Sequence, residues 1–262
     1  MSKSVLSVIK ENSQGFNCLP CERINLDLEK FTEYRDSDEH PAQTPFEVPR
    51  LTTNKKVVDE VNRDINSIFR FFLDGSRRTY KAADIIIDGR YRPLVAGQVG
   101  VAVIQRDDAG YFTPVRQYCV FRNLIAFPSD IGQSDLSYLE NKINQSLPIK
   151  FHLVSYTIKK ERELVDLAVA KIMSEMQNLE ILAVQQMADQ QLLNGDNILV
   201  IDGPLRFKKK FDITQFRNVI GLSKNFRPSF TVGQGSKKVD VGALTSKLSY
   251  GERTSVFKTQ DE

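Results

Sequence analysis

Between Lys159 and Leu193 the chain contains neither proline nor glycine, and Leu164, Ala168, Ile172, Met176, Leu179, Ala183 and Met187 recur at intervals of three and four residues. That spacing gathers them into one stripe on a helix, and a stripe of this length has to be buried against another layer. The segment predicts one long helix or two abutting ones. The residues after it supply the layer: LLNGDN stops the helix, and NILVIDGPL is an apolar run that closes on Asp202-Gly203. A strand apolar along its whole length belongs in the middle of a sheet covered on both faces.

Upstream, SIFRFFLDGS is a second such run, rich in aromatic and branched residues and closing on Asp74-Gly75, a turn pair. Pro93 to Gln105 and Phe112 to Phe127 read as two more strands, joined by RDDAG with Gly110 suited to positive φ. The three strands predict a meander, and FRNVIGLSK a further strand late in the chain. Asp130 to Pro148 reads as a polar loop with one helical turn. Val58, Val61 and Ile65 predict a short amphipathic helix over Asn54 to Ile68. Residues 1–50, broken by Pro20, Pro41, Pro45 and Pro49, read as a loosely structured N-terminal arm ahead of a domain over 51–262. The expected class is α/β, a mixed central sheet flanked by helices.

Composition narrows the function only a little. The balance of 36 basic against 33 acidic residues, net +3, is too near neutral to mark a nucleic-acid binder. No apolar run reaches the ~18 residues that span a bilayer, and MSKSVLSVIKENSQ has no apolar signal core, so a cytoplasmic protein is expected. Cys18 and Cys21 form a CxxC, but zinc needs four ligands. The remaining candidates, Cys119, His40 and His152, do not stand at knuckle spacing, and ERINLDLEKF lacks the context of a redox motif. They read as incidental thiols.

The chemistry lies in carboxylates. One Asp-Gly after a strand is simply a turn, but two, at Asp74 and Asp202, both come after strands of buried type. If those strands lie side by side in parallel, both carboxylates project at one edge and can share a hard divalent cation. The long helix offers Glu161, Glu163, Glu175 and Glu180 as a third ligand. Glu180, with Met176, Ala183, Val184 and Met187 as helical neighbours, sits within the apolar stripe, whereas Glu175 sits on a mixed edge. A carboxylate turned toward a core is costly unless paired or bound to metal, which favours Glu180; the alternative is a stripe-edge side chain snorkelling to water. Carboxylates holding magnesium or manganese suit phosphodiester hydrolysis. Arg77 and Arg78 in DGSRR, with Lys224 and Arg227 beyond the later strand, are candidates for phosphate and DNA contact, and Arg206, Lys208, Lys209 and Lys210 form a further basic run.

Taken in order, FFLDGSRR, the helical NLEILAVQQM, ILVIDGPL and VIGLSKNF resemble the motifs of the NurA nucleases, over roughly Phe71 to Phe226. The resemblance implies an RNase H-like fold and a manganese- or magnesium-dependent nuclease. Such an enzyme resects DNA ends 5′ to 3′, with single-strand endonuclease activity, as a homodimer working with a hexameric HerA-type translocating ATPase. It further implies that Asp74 and Asp202 are metal-binding aspartates, Glu180 the helical glutamate and Lys224 a basic residue beside the site. The family's late strand, which often carries a tyrosine and a histidine, has no counterpart in the closing RTSVFKTQDE, and no histidine occurs after His152. A chain lacking that strand is one expectation from this departure. Two other readings stand beside the nuclease: a catalytically weak or inactive RNase H-like scaffold docking on an ATPase or DNA, and an RNase H-like enzyme acting on RNA or a hybrid.

Overall fold

A computed structural model of the chain describes residues 3–13, 16–27, 44–45, 55–58, 67–203, 205, 213–222, 231–232, 239–254 and 257–258. The described helices are α1 (Val5–Asn12), α2 (Gln133–Ser146), α3 (Leu164–Asp189) and α4 (Val241–Thr245). The strands are β1 (Asn17–Asn25), β2 (Thr44–Pro45), β3 (Lys55–Val57), β4 (Phe69–Ile87), β5 (Arg90–Arg106), β6 (Phe112–Pro114) and β7 (Val120–Pro128). They continue as β8 (Phe151–Tyr156), β9 (Ile198–Asp202), β10 (Val219–Leu222), β11 (Thr231–Val232), β12 (Val239–Asp240), β13 (Glu252–Thr254) and β14 (Phe257–Lys258). The chain forms two units, Met1–Tyr34 with Ser67–Leu222, and Arg35–Asn66 with Ser223–Glu262.

The smaller unit contains three two-stranded antiparallel ladders, β2 with β14, β3 with β13 and β11 with β12. Asp240 caps α4 by accepting the Ala243 N–H at 3.1 Å.

In the larger unit the strand order is β10-β9-β4-β5-β7-β8, with β1 also on β4 and β6 also on β5. β4, β5 and β7 form the expected antiparallel meander, but the third strand, read as Phe112 to Phe127, is divided into β6 and β7 by a helical turn at Arg116–Tyr118. β9 lies parallel to β4, and β10 parallel to β9. A meander extended past its first strand by two parallel strands, with α3 leading into them, is an RNase H-like α/β arrangement.

Strand alternation decides which residues meet which layer. Along β4, Phe71 and Leu73 are buried in the same cluster as Val99, Val101 and Val103 of β5 and Ala168, Ile172, Leu179, Val184 and Met187 of α3. Gly97 confirms the side, because a Cβ there would stand 2.7 Å from Ile172. A register shift between Lys81 and Ala83 then reverses the alternation. Beyond it Ala83 and Ile85 pack with Leu94, Ile125 and Phe127 against α1 and α2 on the other face. One face of the sheet is thus covered by α3, while α1 and α2 close the opposite face over the far half of β4.

Several local expectations are corrected. The run through Asp74-Gly75 does not stop there: β4 continues to Ile87, and the hairpin turn falls at Asp88-Gly89, whose φ of 47° and 73° suit a primed turn. The polar stretch after Asp130 holds a full helix, α2, burying Leu136, Leu139 and Ile143. A strand not anticipated, β8, extends the sheet in parallel beside β7. In the stretch read as a loose arm, α1 and β1 are regular, and β1 pairs with β4. The helix expected over 54–68 is a strand at Lys55–Val57, and residues 59–66 lie outside the described set. Among the described residues no helix is long and apolar enough to cross a membrane.

Candidate carboxylate cleft

The two aspartates come together through strand register. β9 pairs with β4 from Phe69↔Ile198 to Leu73↔Ile201, so the next step along both strands brings Asp74 level with Asp202. The side-by-side parallel arrangement on which the sequence reading was conditional is present, and both aspartates are exposed. On the far side of β9, Asp202 is level with Leu222 of β10, and the Gly203 N–H donates to the Leu222 carbonyl at 2.9 Å.

Beyond Leu73 no described strand pairs with the edge of β4 that faces β9. β1 takes up the same edge only from Tyr80 onward. The opening ends at Thr79, buried at 0% exposure, where the chain after β1 closes it. The Leu26 N–H donates to the Thr79 carbonyl at 3.0 Å. Asp27 receives the Thr79 N–H at 2.8 Å and the Thr79 hydroxyl at 2.7 Å. Asp27 also receives Arg77 Nη1 at 3.2 Å. A buried threonine donor with no acceptor would cost roughly 1–3 kcal/mol, so this clasp fixes where the opening ends.

Into the opening from the α3 face comes Glu180. Gly75 belongs to that face by alternation with Leu73, and a Cβ on Gly75 would fall within the Glu180 carboxylate and 3.2 Å from Met176. The glycine of this Asp-Gly pair therefore gives Glu180 room instead of making a turn. Asp74, Gly75, Met176, Glu180 and Asp202 are among the residues lining a single cleft of about 210 Å³. Glu175 is turned elsewhere: it receives Lys171 Nζ at 2.7 Å and is not part of the cleft lining.

Asp74, Asp202 and Glu180 all line the cleft, but their carboxylates do not form one ready coordination shell. Among the described residues no group of three or more His, Cys, Asp or Glu side chains is arranged to hold a metal ion. The reason lies in the alternation: Asp74 and Asp202 point to the face away from α3, while Glu180 approaches from the α3 side. The same rule separates the arginines of DGSRR. Arg77 is on the α3 side and paired with Asp27, while Arg78 is exposed on the side of Asp74. Lys224 and Arg227, and the basic run Arg206, Lys208, Lys209 and Lys210, lie outside the described residues.

Cys18 and Cys21 fall on β1, away from the cleft lining. Burial pushes both thiols up, opposing the thiolate that metal binding or redox exchange needs. Sequence reasoning missed Asp27 and the clearance at Gly75. Neither carries a motif; both emerge only once β1 and β9 are seen to share one edge of β4. No known protein family and no curated protein matches the chain.

Proposed function

We propose that this cleft is a metal-dependent phosphodiesterase site acting on DNA. The observation that carries the reading is that Asp74, Asp202 and Glu180, from two strands and a helix, line one cleft at an opening in the sheet. Their oxygens are the donors that manganese or magnesium takes, and two exposed aspartates level with one another can close on an ion with little backbone movement. Asp74 and Asp202 would hold the ion and Glu180 would complete its surround. A bound ion supplies positive charge to the phosphate and to the attacking and leaving oxygens. Arg78, on the same face as Asp74, is placed to hold a neighbouring phosphate, and Asp27 keeps Arg77 oriented beside Gly75.

The ordered motifs that resemble the NurA nucleases support the same reading, and with it end resection, a homodimer, a hexameric HerA-type ATPase as partner and a cytoplasmic location. The test is cleavage of end-labelled single- and double-stranded DNA in manganese. Asp74→Ala is expected to reduce cleavage by about a hundredfold or more, the scale seen when a preorganised charge is removed from a reacting centre. Cleavage unchanged in Asp74→Ala contradicts the assignment.

A second reading rests on the opposite-face approach of Glu180. A scaffold that docks on DNA or an ATPase needs no assembled ion shell. It predicts no cleavage by the unaltered protein with manganese or magnesium, together with stable co-purification of an ATPase.

A further inference from the structure

Among the described residues no helix covers the face of the sheet that carries Asp74 where α1 and α2 do not reach, and its composition can be read along β5. Arg106 is opposite Phe112 of β6. Ala102 is opposite Asp74, and Gly100 lies between Ser76 of β4 and Phe121 of β7. Gln98 lies between Arg78 and Asn123, and its amide donates to Asn123 Oδ1 at 3.2 Å. All of these share one face, because each cross-strand pair points the same way and alternate residues of β5 repeat.

The relief of this face is a track. Between the levels of the two rings its floor is the half-buried Ile104, then Ala102 and Gly100 with the smallest side chains. On one side stand Asp74, Ser76 and Arg78, all exposed. On the other stand two large rings, Phe112 at 55% and Phe121 at 63% exposure. Phe72, also on this face, supports the first of them edge-on, with ring centroids 5.6 Å apart. From Arg106 to Gln98 the track is ~27 Å long at the strand rise of about 3.4 Å per residue.

We infer that this track binds single-stranded DNA, with bases against Phe112 and Phe121 and the backbone passing Arg78 and the Asp74–Asp202 pair. The inference rests on the cleft being a phosphodiesterase site. Exposed rings on an open sheet are stacking platforms for unpaired bases, and a cation beside them holds the phosphates. A duplex keeps its bases stacked on each other and cannot offer them to the rings. A protein partner, including a second copy of the chain, would bury Asp74 and Arg78 under a dry interface, where taking charge out of water is costly. The two rings flank the level of Asp74 along β5, about 20 Å apart at the strand rise, so a strand stacked on both carries its intervening backbone past the carboxylates.

The experiment is fluorescence anisotropy of a labelled oligothymidine, without added divalent metal, on the full chain. Each of Phe112→Ala and Phe121→Ala should weaken binding by about tenfold, and the double variant by about a hundredfold. Phe121→Trp should retain it. Both positions are largely exposed, so circular dichroism of the variants should match the parent. Equal affinity of parent and double variant overturns the inference. So does a double variant that loses self-association while binding oligothymidine as before. Cleavage with manganese, measured in parallel, separates this inference from the one beneath it. Ring-dependent binding without cutting leaves the track standing and removes the nuclease. Cutting that ignores the rings does the reverse.

Discussion

Asp74-Gly75 and Asp202-Gly203 are the same dipeptide after the same kind of apolar strand, and they do different work. At Asp202 the strand ends, and Gly203 leaves the sheet at φ 131°, a conformation that side-chain-bearing residues rarely adopt. At Asp74 the backbone stays extended, because β5 pairs with β4 on both sides of it, from Phe71↔Gln105 to Ile87↔Arg90. Turn preference is a local bias, and a long ladder of strand pairs overrides it. The glycine is used at both places, once for its φ and once for its missing Cβ. The pair that does turn the chain, Asp88-Gly89, sits at the far end of the same hairpin.

That contrast can be broken by substitution. The largest effect is expected at Gly75→Ala, where the new methyl displaces the Glu180 carboxylate and crowds Met176. Both are flexible side chains that can move aside, so the fold should survive. Manganese-dependent cleavage should fall by about 10- to 100-fold, as when a group that supports a metal site is lost. A Gly75→Ala protein cutting at the parental rate would mean that Glu180 is not needed where it stands. Next comes Gly221→Ala, on the strand beside Asp202. Its Cβ would stand 2.6 Å from the Gly203 carbonyl oxygen and 2.7 Å from the Leu205 nitrogen, both backbone atoms. Urea denaturation should show a loss of about 2–3 kcal/mol, the upper range for overpacking, and a loss under about 0.5 kcal/mol would disprove the close approach. The smallest effect is expected at Gly203→Ala. Among the described residues nothing lies within 4 Å of a Cβ there, so the effect is backbone strain, worth about 1–2 kcal/mol. The twins should therefore separate, with Gly75→Ala losing activity while stable and Gly203→Ala losing stability first.

Much of this architecture is legible in the sequence because periodic burial writes it there. α3 and the strands β4, β5, β9 and β10 each carry an apolar pattern long enough to fix their type, but the parallel pairing of β4 with β9 was only a condition there, and around Asp74 β4 alternates buried and exposed residues instead of being covered on both faces. α2 was hidden because only Leu136, Leu139 and Ile143 of its fourteen residues are buried, a narrow stripe in a polar segment. β8 is six residues long with only Leu153 and Tyr156 buried, a pattern too short to stand out beside the long helix. The three cleft carboxylates were legible from strand ends and from helical neighbours. Their approach from opposite faces was not, since it depends on the open edge of β4 between β9 and β1, a feature of pairing that no segment carries by itself.

The claim on which everything rests is that Asp74, Asp202 and Glu180 act on one ion. A manganese titration monitored by electron paramagnetic resonance measures this directly, because bound ion drops out of the free-ion signal. The unaltered protein should take up manganese, Asp74→Asn and Asp202→Asn should each abolish that uptake, and Glu180→Gln should weaken it by about tenfold or more. Uptake that is the same in all four proteins would contradict the claim.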